Sequence, residues 1–450
     1  MKVYKKFWRA ICITSLLTSL FLVGCNNNEE TVIKDKTNKS TSSEEKVVLT
    51  FWDENAGPQR TPIWQELIKR FEKQNPNIKV EYVGLPKDTA KQKYDAAISA
   101  NDTPDVGSVQ TSWLSEFSIR KALLPLDNYF NKWSEKEKIN KGAIDFNRDI
   151  VIDKKLYGIP YTQNIDILWY RPDWFKEAGV KPPETWDEFF TAVEKMTDKS
   201  KKRYGFTIRG GDGASFQLQR MMYAYSGIDK YFDENGKSTI NDPKHVEFVK
   251  KYLGLYKKYT PESDITNGYK EMIAAFDTGA VALVQHNIGS YGEHSKALKP
   301  DQFAALPLPK TDDGKYVVEG GNTINISIFK NTKHPDAAWK FVSFLTSAES
   351  QSYWNQQTGQ IPTHADVLNE QWVNDAQHIK VAFDVLENPN TVFYNPAFYL
   401  PDYRSILDNI VDPSIQAVMS GKKSVEDFLN EWATALEKSK QQYDEQFNNK

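Results

Sequence analysis

The sequence predicts an α/β fold, in which largely parallel strands alternate with helices that cover both faces of a sheet. Apolar strand-like runs occur at residues 47–52, 78–85 and 104–110. Helical patterns at 61–74 and 94–100 lie between them. Strand, helix, strand, helix, strand within about sixty residues is the order that produces a parallel sheet with crossover helices.

The first helix shows both a start signal and one apolar face. Thr61-Pro62 supplies a capping hydroxyl and a proline suited to the first helical turn. Apolar side chains then recur at the spacing i, i+3, i+4, i+7, and the stripe consists of Trp64, Leu67, Ile68 and Phe71. Asn75-Pro76-Asn77 predicts the end of this helix.

The rest of the chain continues in the same style. We expect one extended strand over 157–170, further strands from 280, 303 and 321, and helices over 336–345, from 347 and over 425–443. Thr185 followed by Glu188 predicts a capping box at the start of the helix in 182–196. The α/β pattern thus runs from about residue 46 to residue 450 with no linker inside it.

The N-terminus resembles an export signal. Lys2, Lys5, Lys6 and Arg9 precede an apolar stretch over 10–23 that is too short to span a bilayer. Leu22-Val23-Gly24-Cys25 then resembles a bacterial lipobox, in which the cysteine thiol is acylated. We therefore predict a lipoprotein signal peptide over 1–24 and lipidation of Cys25 on the extracytoplasmic face of the cell membrane of a bacterium.

The segment that follows is predicted to be a tether. Residues 26–45 are almost all Asn, Glu, Thr, Lys and Ser, with too little apolar surface to offset the entropy of ordering. The other cysteine, Cys12, lies within the signal, so no disulfide is expected after cleavage. The mature chain is long enough to build its own core without one.

Composition excludes one class of partner. The formal net charge of −3 and the sequence pI near 6.2 show no basic excess for phosphates, so we expect no nucleic acid partner. Aromatic residues make up 13% of the chain, and many stand beside Asn, Asp, Gln or Gly. Most aromatics belong to cores, but a few in a cleft would offer apolar faces to sugar rings.

Common catalytic and metal motifs are missing from the sequence. The six histidines do not form an HExxH pair, and one remaining cysteine cannot build a thiolate metal site, so we predict neither metal nor cofactor. Gly236-Lys237-Ser238 imitates a P-loop end, but Tyr231 replaces its first glycine, and Asn235-Gly236 instead predicts a hairpin turn. A glycosidase needs only two suitably placed acids, so Asp53, Glu54, Asp105, Asp166, Asp187 and Glu319 stay open as candidates.

Several motifs in fixed order resemble those of one family. They are "FEKQNPNIKVEYV", "TPDV", "ALLPLDNYF", "KLYGIPYTQNIDILWYRPDWFKEAGVKPPETWDEFF", "MIAAFDTGAVALVQHNIGSY", "EGGNTINISIFKNTKHPDAAWKFVSFLTSAESQ" and "GQIPTH". Together they resemble the extracellular solute-binding proteins of ABC importers, in particular family 1, which includes maltose-binding protein. The resemblance implies a periplasmic-binding-protein-like fold of class II, with a ligand cleft between two lobes joined by hinge crossings.

The resemblance also implies where the chain crosses between lobes. Crossings are expected near Tyr161-Thr162, Leu306-Pro307 and Pro362-Thr363. Lobe one would then comprise 46–161 plus 306–363. Lobe two would comprise 162–305 plus 364–450.

Ligand contacts are implied at positions that match the family's motifs and at polar or aromatic residues near them. The implied residues are Trp52, Asp53, Glu54, Asn55, Gln110, Trp113, Gln163, Asn164, Asp166, His286, Asn287, Tyr291, Glu319, Gly320, Gly321 and Asn322. Tyr291 stands where members of the family often have a stacking Trp, and Gly320-Gly321 would let the backbone approach the ligand. "RGGDGASFQ" and "FYNPAFYLPDYR" add Arg209, Tyr394 and Arg404, where an arginine would suit a sugar acid.

The function implied is capture of a carbohydrate, an oligosaccharide above all, by hinge closure of a monomeric, lipid-anchored protein. The closed form would deliver the ligand unchanged to the permease subunits of an ABC transporter. Two alternatives stay open at this point. One is a surface glycoside hydrolase or lyase that uses two of the acids above, and the other is a carbohydrate sensor or adhesin without a permease.

Overall fold

The computed structural model of the chain describes residues 46–448. The predicted signal peptide, Cys25 and the tether lie outside this part, so their predictions stay untested. No helix within 46–448 combines the length and the apolar character needed to cross a membrane.

Ten strands form three sheets in the described part of the chain. They are β1 Val47–Asp53, β2 Ile78–Gly84, β3 Val106–Gln110, β4 Ile159–Gln163, β5 Asp166–Tyr170, β6 Leu283–Asn287, β7 Ala304–Leu306, β8 Tyr316–Glu319, β9 Thr323–Ile328 and β10 Thr391–Tyr394. The sheet orders are β2-β1-β3-β9-β4, β6-β5-β7 and β10-β8.

The helices alternate with these strands. They are α1 Thr61–Gln74, α2 Lys87–Ala100, α3 Thr111–Ile119, α4 Asp127–Phe130, α5 Lys141–Asp149, α6 Pro172–Ala178, α7 Trp186–Lys195, α8 Ala214–Ser226, α9 Pro243–Leu253, α10 Tyr269–Asp277, α11 Tyr291–Ala297, α12 Pro335–Leu345, α13 Ala348–Thr358, α14 Ala365–Leu368, α15 Gln371–Asp375, α16 Gln377–Leu386, α17 Tyr403–Ile406, α18 Asp412–Met419 and α19 Val425–Tyr443.

The first sheet confirms the predicted parallel unit. β1 pairs in parallel with β2 on one side and with β3 on the other. β9 then joins antiparallel to both β3 and β4, which makes the sheet mixed. Predicted alternation along β9 is wrong, because all six of its residues are buried in the middle of this sheet.

The predicted single strand over 157–170 is also wrong, since the chain breaks it into β4 and β5. The Asn164 amide donates to the carbonyl of Asn322 at 2.9 Å and so leaves the ladder that β4 makes with β9. From Asp166 onward the chain pairs instead with β6 and β7. One continuous apolar run therefore connects two different sheets.

Each sheet has its own apolar packing. Phe51, Trp64 and Phe341 are buried in the cluster on the first sheet. Trp169 and Ile379 are buried in the cluster on the second sheet. The largest cluster spreads over the helical region and includes the buried aromatic side chains of Trp186, Phe248 and Trp432.

The predicted crossing near Leu306-Pro307 stays a prediction, and the next strand after it, β8, joins neither of the two larger sheets. β8 pairs with β10 in a separate ribbon, with Tyr394 opposite Glu319. β9 is the next strand that joins the first sheet. The Glu319 side chain consequently faces α8 and β5, where it meets Arg220.

Two local predictions are confirmed. Thr185 and Glu188 form the capping box at the start of α7, with the Glu188 amide donating to the Thr185 hydroxyl at 3.3 Å. Asn235-Gly236 lies in a turn, where Gly236 has a φ of 76° and the Asp233 amide donates to the Lys237 carbonyl at 2.8 Å. A positive φ is the conformation that favours glycine in such turns.

Candidate functional site

A cleft of about 960 Å³ lies where the ends of the first sheet, β2-β1-β3-β9-β4, and the second sheet, β6-β5-β7, meet. The first sheet contributes the segments that follow β1 and β3, and the second contributes the segment that follows β6. Pockets that enclose small ligands measure about 300–1,000 Å³. The cleft therefore has room for a ligand larger than a single small group.

Many of the residues implied from the sequence do line this cleft. They are Asn55, Gln110, Trp113, Asn164, Arg209, His286, Asn287, Glu319, Gly321, Asn322 and Arg404. The remaining implied residues lie behind the lining or beside it, and each has protein partners of its own.

Three of these lie in the segment at the end of β1. The Trp52 ring packs 5.3 Å from that of Tyr94, centroid to centroid. Asp53 is buried and accepts from the Tyr82 hydroxyl at 2.8 Å. Glu54 is buried as well and is paired with Lys87, whose Nζ lies 2.6 Å from Oε2. These side chains support the cleft wall from behind.

The predicted stacking platform, Tyr291, is occupied by the protein itself. Its ring stacks on that of His378 at 3.9 Å with 10° between the planes, and it is not among the residues that line the cleft. Tyr394 is fully buried, and its ring centroid lies 4.3 Å from that of Tyr223. Gln163 is held in the ladder opposite Thr323.

The glycine pair lies close to side chains of the protein. A Cβ on Gly320 would lie 2.1 Å from Oδ1 of Asn395, and one on Gly321 would lie 2.0 Å from the Phe146 ring. Gly321 also has a φ of 68°. Side chains of the protein thus crowd both positions, and at Gly321 the backbone conformation favours glycine as well.

Arg220 is the central charged residue that the sequence did not reveal. Its Nη2 donates to Oε1 of Glu319 at 2.7 Å, and its Nη1 lies 3.3 Å from Oδ1 of Asp166. The hydroxyl of Tyr394 and the amide of Gln219 donate to the same Glu319 carboxylate, each at 3.2 Å. Although burial opposes the charged form, the Asp166 and Glu319 carboxylates raise the pKa of Arg220.

The two arginines predicted from the sequence already have acidic neighbours. Arg404 donates from Nε to Asp408 at 2.9 Å, which is an i, i+4 pair. Asp212 lies 3.7 Å from both Arg404 and Arg209. Burial lowers the pKa of Arg209, and the charge of Asp212 opposes this shift.

Besides Trp113, aromatic residues that the sequence analysis did not name also line the cleft. Phe216 has two guanidinium groups near its ring, with Cζ of Arg404 at 5.0 Å and Cζ of Arg220 at 5.6 Å from its centroid. Tyr269 lies parallel to His286, with centroids 5.4 Å apart and 11° between the planes. Burial lowers the pKa of His286 and raises that of Tyr269 to about 12, so both side chains are neutral near pH 7.

Arg60 and Glu293 also line the cleft and were missed. Arg60 precedes α1, and Glu293 lies in the first turn of α11. Neither Arg60 nor Glu293 belongs to a sequence motif that indicates ligand binding. In Phe216 and Arg220, by contrast, the i, i+4 spacing on α8 was a signal that could have placed both on one face.

Three carboxylates beside the cleft, from Asp212, Asp408 and Asp412, approach within 4.8 Å of one another. Asp412 accepts from the backbone amides of Gly213 at 2.8 Å and Ser215 at 2.7 Å. Asp408 accepts from Arg404. Backbone amides and an arginine thus already balance this acidic cluster.

Residues 57–352 match the family model of the bacterial extracellular solute-binding proteins. A putative binding protein of Brucella abortus is 27% identical over 372 residues, which cover 80% of this chain and 85% of that protein. The multiple sugar-binding protein of Streptococcus mutans is 27% identical over 369 residues, with 79% and 82% covered.

Among solved structures, the GacH receptor of Streptomyces glaucescens superposes with a TM-score of 0.77 at 23% identity, covering 88% of this chain and 99% of that one. The described chain thus has the two-lobed α/β fold of such receptors, with the cleft between the lobes. Since the family model covers well over half of the sequence, the chain belongs to the bacterial extracellular solute-binding protein family.

Proposed function

We propose that this protein is the carbohydrate receptor of an ABC importer and that the cleft between its two sheets binds an oligosaccharide. The observation that carries the proposal is the lining of the cleft, where aromatic faces stand beside fixed amides and charged groups. Phe216 and Tyr269 offer flat apolar surfaces, while Asn55, Gln110 and Asn322 offer donors and acceptors. A sugar ring presents an apolar face and a rim of hydroxyls, which matches both kinds of group.

The relatives support a sugar as the ligand class. One of them is named a multiple sugar-binding protein, and the GacH receptor was crystallised with acarbose. A cleft of about 960 Å³ suits a ligand of more than one ring. The proposed ligand is therefore an oligosaccharide.

In the proposed mechanism the ligand shifts an equilibrium between an open and a closed form. Groups from both sheets line the cleft, so a ligand that touches both sides stabilises the closed form selectively. The closed form then docks on the permease subunits of the transporter. We further propose that the protein is a monomer attached to the membrane through lipid on Cys25, with residues 26–45 as its tether.

No bond of the sugar is broken in this proposal, since binding and release alone complete the cycle. The rival is a hydrolase or lyase that uses acids beside the cleft. Asp166 and Glu319 are two such acids, and both contact the one guanidinium of Arg220. We interpret this arrangement as a fixed set of hydroxyl acceptors.

The test is a titration of the purified protein with neutral and acidic mono- and oligosaccharides, followed by intrinsic fluorescence, with analysis of the sugar afterwards. Saturable binding at micromolar or lower concentration, with the sugar recovered intact, is the expected result. Cleavage of the sugar would instead show that the protein is a glycoside hydrolase or lyase. Silence across the whole panel would refute a carbohydrate ligand while leaving the family unchanged.

A further inference from the structure

The charges that line the cleft are almost all matched by neighbouring acids. Each lysine and arginine of the lining, apart from Arg60, has a carboxylate oxygen within 4.0 Å in the described part of the chain. The pairs are Lys87 with Glu54, Lys91 with Glu116, Arg120 with Asp95, Arg209 with Asp212, Arg220 with Glu319 and Arg404 with Asp408. An acidic ligand would therefore find one cation without a direct partner.

Contacts at one end of the cleft bring Arg60 towards Glu293. The Arg60 guanidinium lies over the ring of Trp354, 5.8 Å from its centroid. The Trp354 indole donates to Gln360 at 3.1 Å, and the Gln360 side chain packs against Gly289, just before α11. Glu293 is in the first turn of α11, and it lines the same cleft as Arg60.

Electrostatics supports the pairing of these two residues. Burial raises the pKa of Glu293, and among the charges that oppose this rise Arg60 is the strongest. Conversely, burial disfavours the charged form of Arg60, and Glu293 is the charge that does most to raise the pKa of this guanidinium. The guanidinium nitrogens of Arg60 nevertheless lie more than 4.0 Å from the carboxylate oxygens of Glu293, so these two described residues form no direct ion pair.

A hydroxyl group can satisfy a cation and an anion at the same time. A hydroxyl oxygen can accept from a guanidinium and donate to a carboxylate, with each bond about 2.7–3.0 Å long. A ligand carboxylate that bonds to Arg60 brings a second negative charge near the carboxylate of Glu293. The two negative charges repel each other, and the partial burial of Glu293 makes this repulsion stronger. Hydroxyls can thus bond to either group without an electrostatic penalty.

We propose that Arg60 and Glu293 together form one subsite, neutral as a whole, which binds hydroxyl groups of the ligand across the cleft, and that the protein therefore selects uncharged over acidic saccharides. The inference rests on the proposed function and names the ligand class. It replaces the expectation that Arg209 or Arg404 binds a sugar acid, because Asp212 and Asp408 already face those two arginines.

The test is calorimetric titration of the purified protein with matched neutral and uronic sugars of the same linkage. The pairs are galactobiose with digalacturonic acid, cellobiose with its diuronic counterpart, and mannobiose with dimannuronic acid, each also as the trisaccharide. The same titrations are made with Glu293→Gln, Arg60→Gln and a control, Glu349→Gln. Glu349 is an exposed acid that lies 3.6 Å from Arg70, away from the cleft lining.

The expected result is that the wild type binds the neutral member of a pair at least about tenfold more tightly. Each cleft variant should lose about 10–100-fold in affinity for the neutral sugar, since hydrogen bonds to charged groups are strong. Glu293→Gln should in addition narrow or reverse the preference for neutral sugars, because Arg60 then lacks its opposing charge. Arg60→Gln should not narrow the preference for neutral sugars. Glu349→Gln should have the affinities of the wild type.

Preference of the wild type for the uronic sugars would overturn the inference, even if a variant failed to fold. An unchanged neutral-to-uronic ratio in a folded Glu293→Gln protein would also overturn it. In both cases the protein still binds sugars, so the proposed function survives. Absence of binding to any sugar by the wild type would instead refute the proposed function together with the inference.

Discussion

Arg220 and Glu319 are 99 residues apart in sequence, yet the guanidinium of one donates to the carboxylate of the other at 2.7 Å and again at 3.0 Å. The Glu319 side chain is 4% exposed and that of Arg220 is 17% exposed. The contact joins α8 to the end of β8, and Asp166 at the start of β5 completes it. A buried network of this kind fixes the relative positions of three elements at the cleft.

Replacement of Arg220 with methionine should therefore destabilise the protein strongly. The variant leaves the carboxylates of Asp166 and Glu319 buried without their cation, and losing one member of a buried pair costs about 3–5 kcal/mol. Chemical denaturation measures the free energy of unfolding. The matched control is Arg70→Met, because Arg70 pairs with Glu66 at 3.0 Å on the surface, where such a pair contributes about 0–1 kcal/mol. Equal losses in the two variants would contradict the assignment.

Asp53 should make stability depend on pH. Burial, with the charge of Glu54 second, raises the pKa of this carboxyl from 3.8 to about 6 in the folded protein. The folded state then holds the proton more tightly than the unfolded state does, so the free energy of unfolding falls as the pH rises from about 4 to 6. At about 1.4 kcal/mol for each pKa unit the loss is roughly 2–3 kcal/mol, and it levels off above pH 6.

The Asp53→Asn variant should lack this part of the pH dependence, since its side chain stays neutral. Denaturation of both proteins between pH 4 and 7.5 should show wild-type and variant curves that diverge with rising pH. Asp145→Asn is the control, because the side chain of Asp145 is 50% exposed. Parallel curves for wild type and Asp53→Asn would contradict the prediction, because they would show that Asp53 has the same pKa in the folded and unfolded states.

Thr185→Ala should lower the stability of the protein by about 1 kcal/mol. The hydroxyl accepts from the Glu188 amide, and the Glu188 carboxylate accepts from the Thr185 amide at 3.2 Å. Loss of such a cap costs about 0.5–2 kcal/mol. Glu184→Ala changes the preceding exposed residue without removing the box and should stay within about 0.5 kcal/mol of wild type. Thermal or chemical unfolding of the wild type, Thr185→Ala and Glu184→Ala measures these differences in stability.

Local patterns were enough to predict much of the fold. The apolar stripe after Thr61-Pro62 and the capping box at Thr185 depend on residues a few positions apart, and both appear as expected. The predicted capping hydroxyl of Thr61 is wrong, because Thr61 is itself the first helical residue and no side chain of the described residues caps α1. The break between β4 and β5 was missed because it depends on Asn322, far along the chain, which accepts from the Asn164 amide. β9 is buried on both faces because of its position between β3 and β4, which its own residues do not reveal.

The site was harder to predict for the same physical reason. Gln110, a polar group at a strand end, follows from the α/β pattern, and Asn287 was implied by the family resemblance. Arg60, Arg220 and Glu293 acquire their roles only through partners that the fold brings near. Tyr269 and Tyr291 are a further example, since both are tyrosines at the start of a helix and only their surroundings distinguish them.

These two tyrosines provide a direct test of which aromatic ring serves the ligand. Tyr269 lines the cleft, with His286 behind its ring. Tyr269→Ala should therefore weaken sugar binding by about three- to tenfold, the equivalent of about 0.5–1.5 kcal/mol for one aromatic stacking contact. Tyr269→Phe keeps the ring and should retain most of the affinity. Titration of the best sugar ligand, with unfolding measured in parallel, gives both quantities.

Tyr291→Ala should show the opposite pattern. Its ring stacks on that of His378 at 3.9 Å and also lies 6.5 Å from that of Trp169, so its removal leaves a void in the packing of the second sheet. Large-to-small changes of buried aromatic rings cost up to about 3–5 kcal/mol, and a half-buried ring should cost less. Stability should thus fall while the affinity of the folded fraction stays close to wild type. A greater loss of affinity in Tyr291→Ala than in Tyr269→Ala would return the stacking role to Tyr291, because a ring that contacts only protein cannot contribute directly to ligand binding.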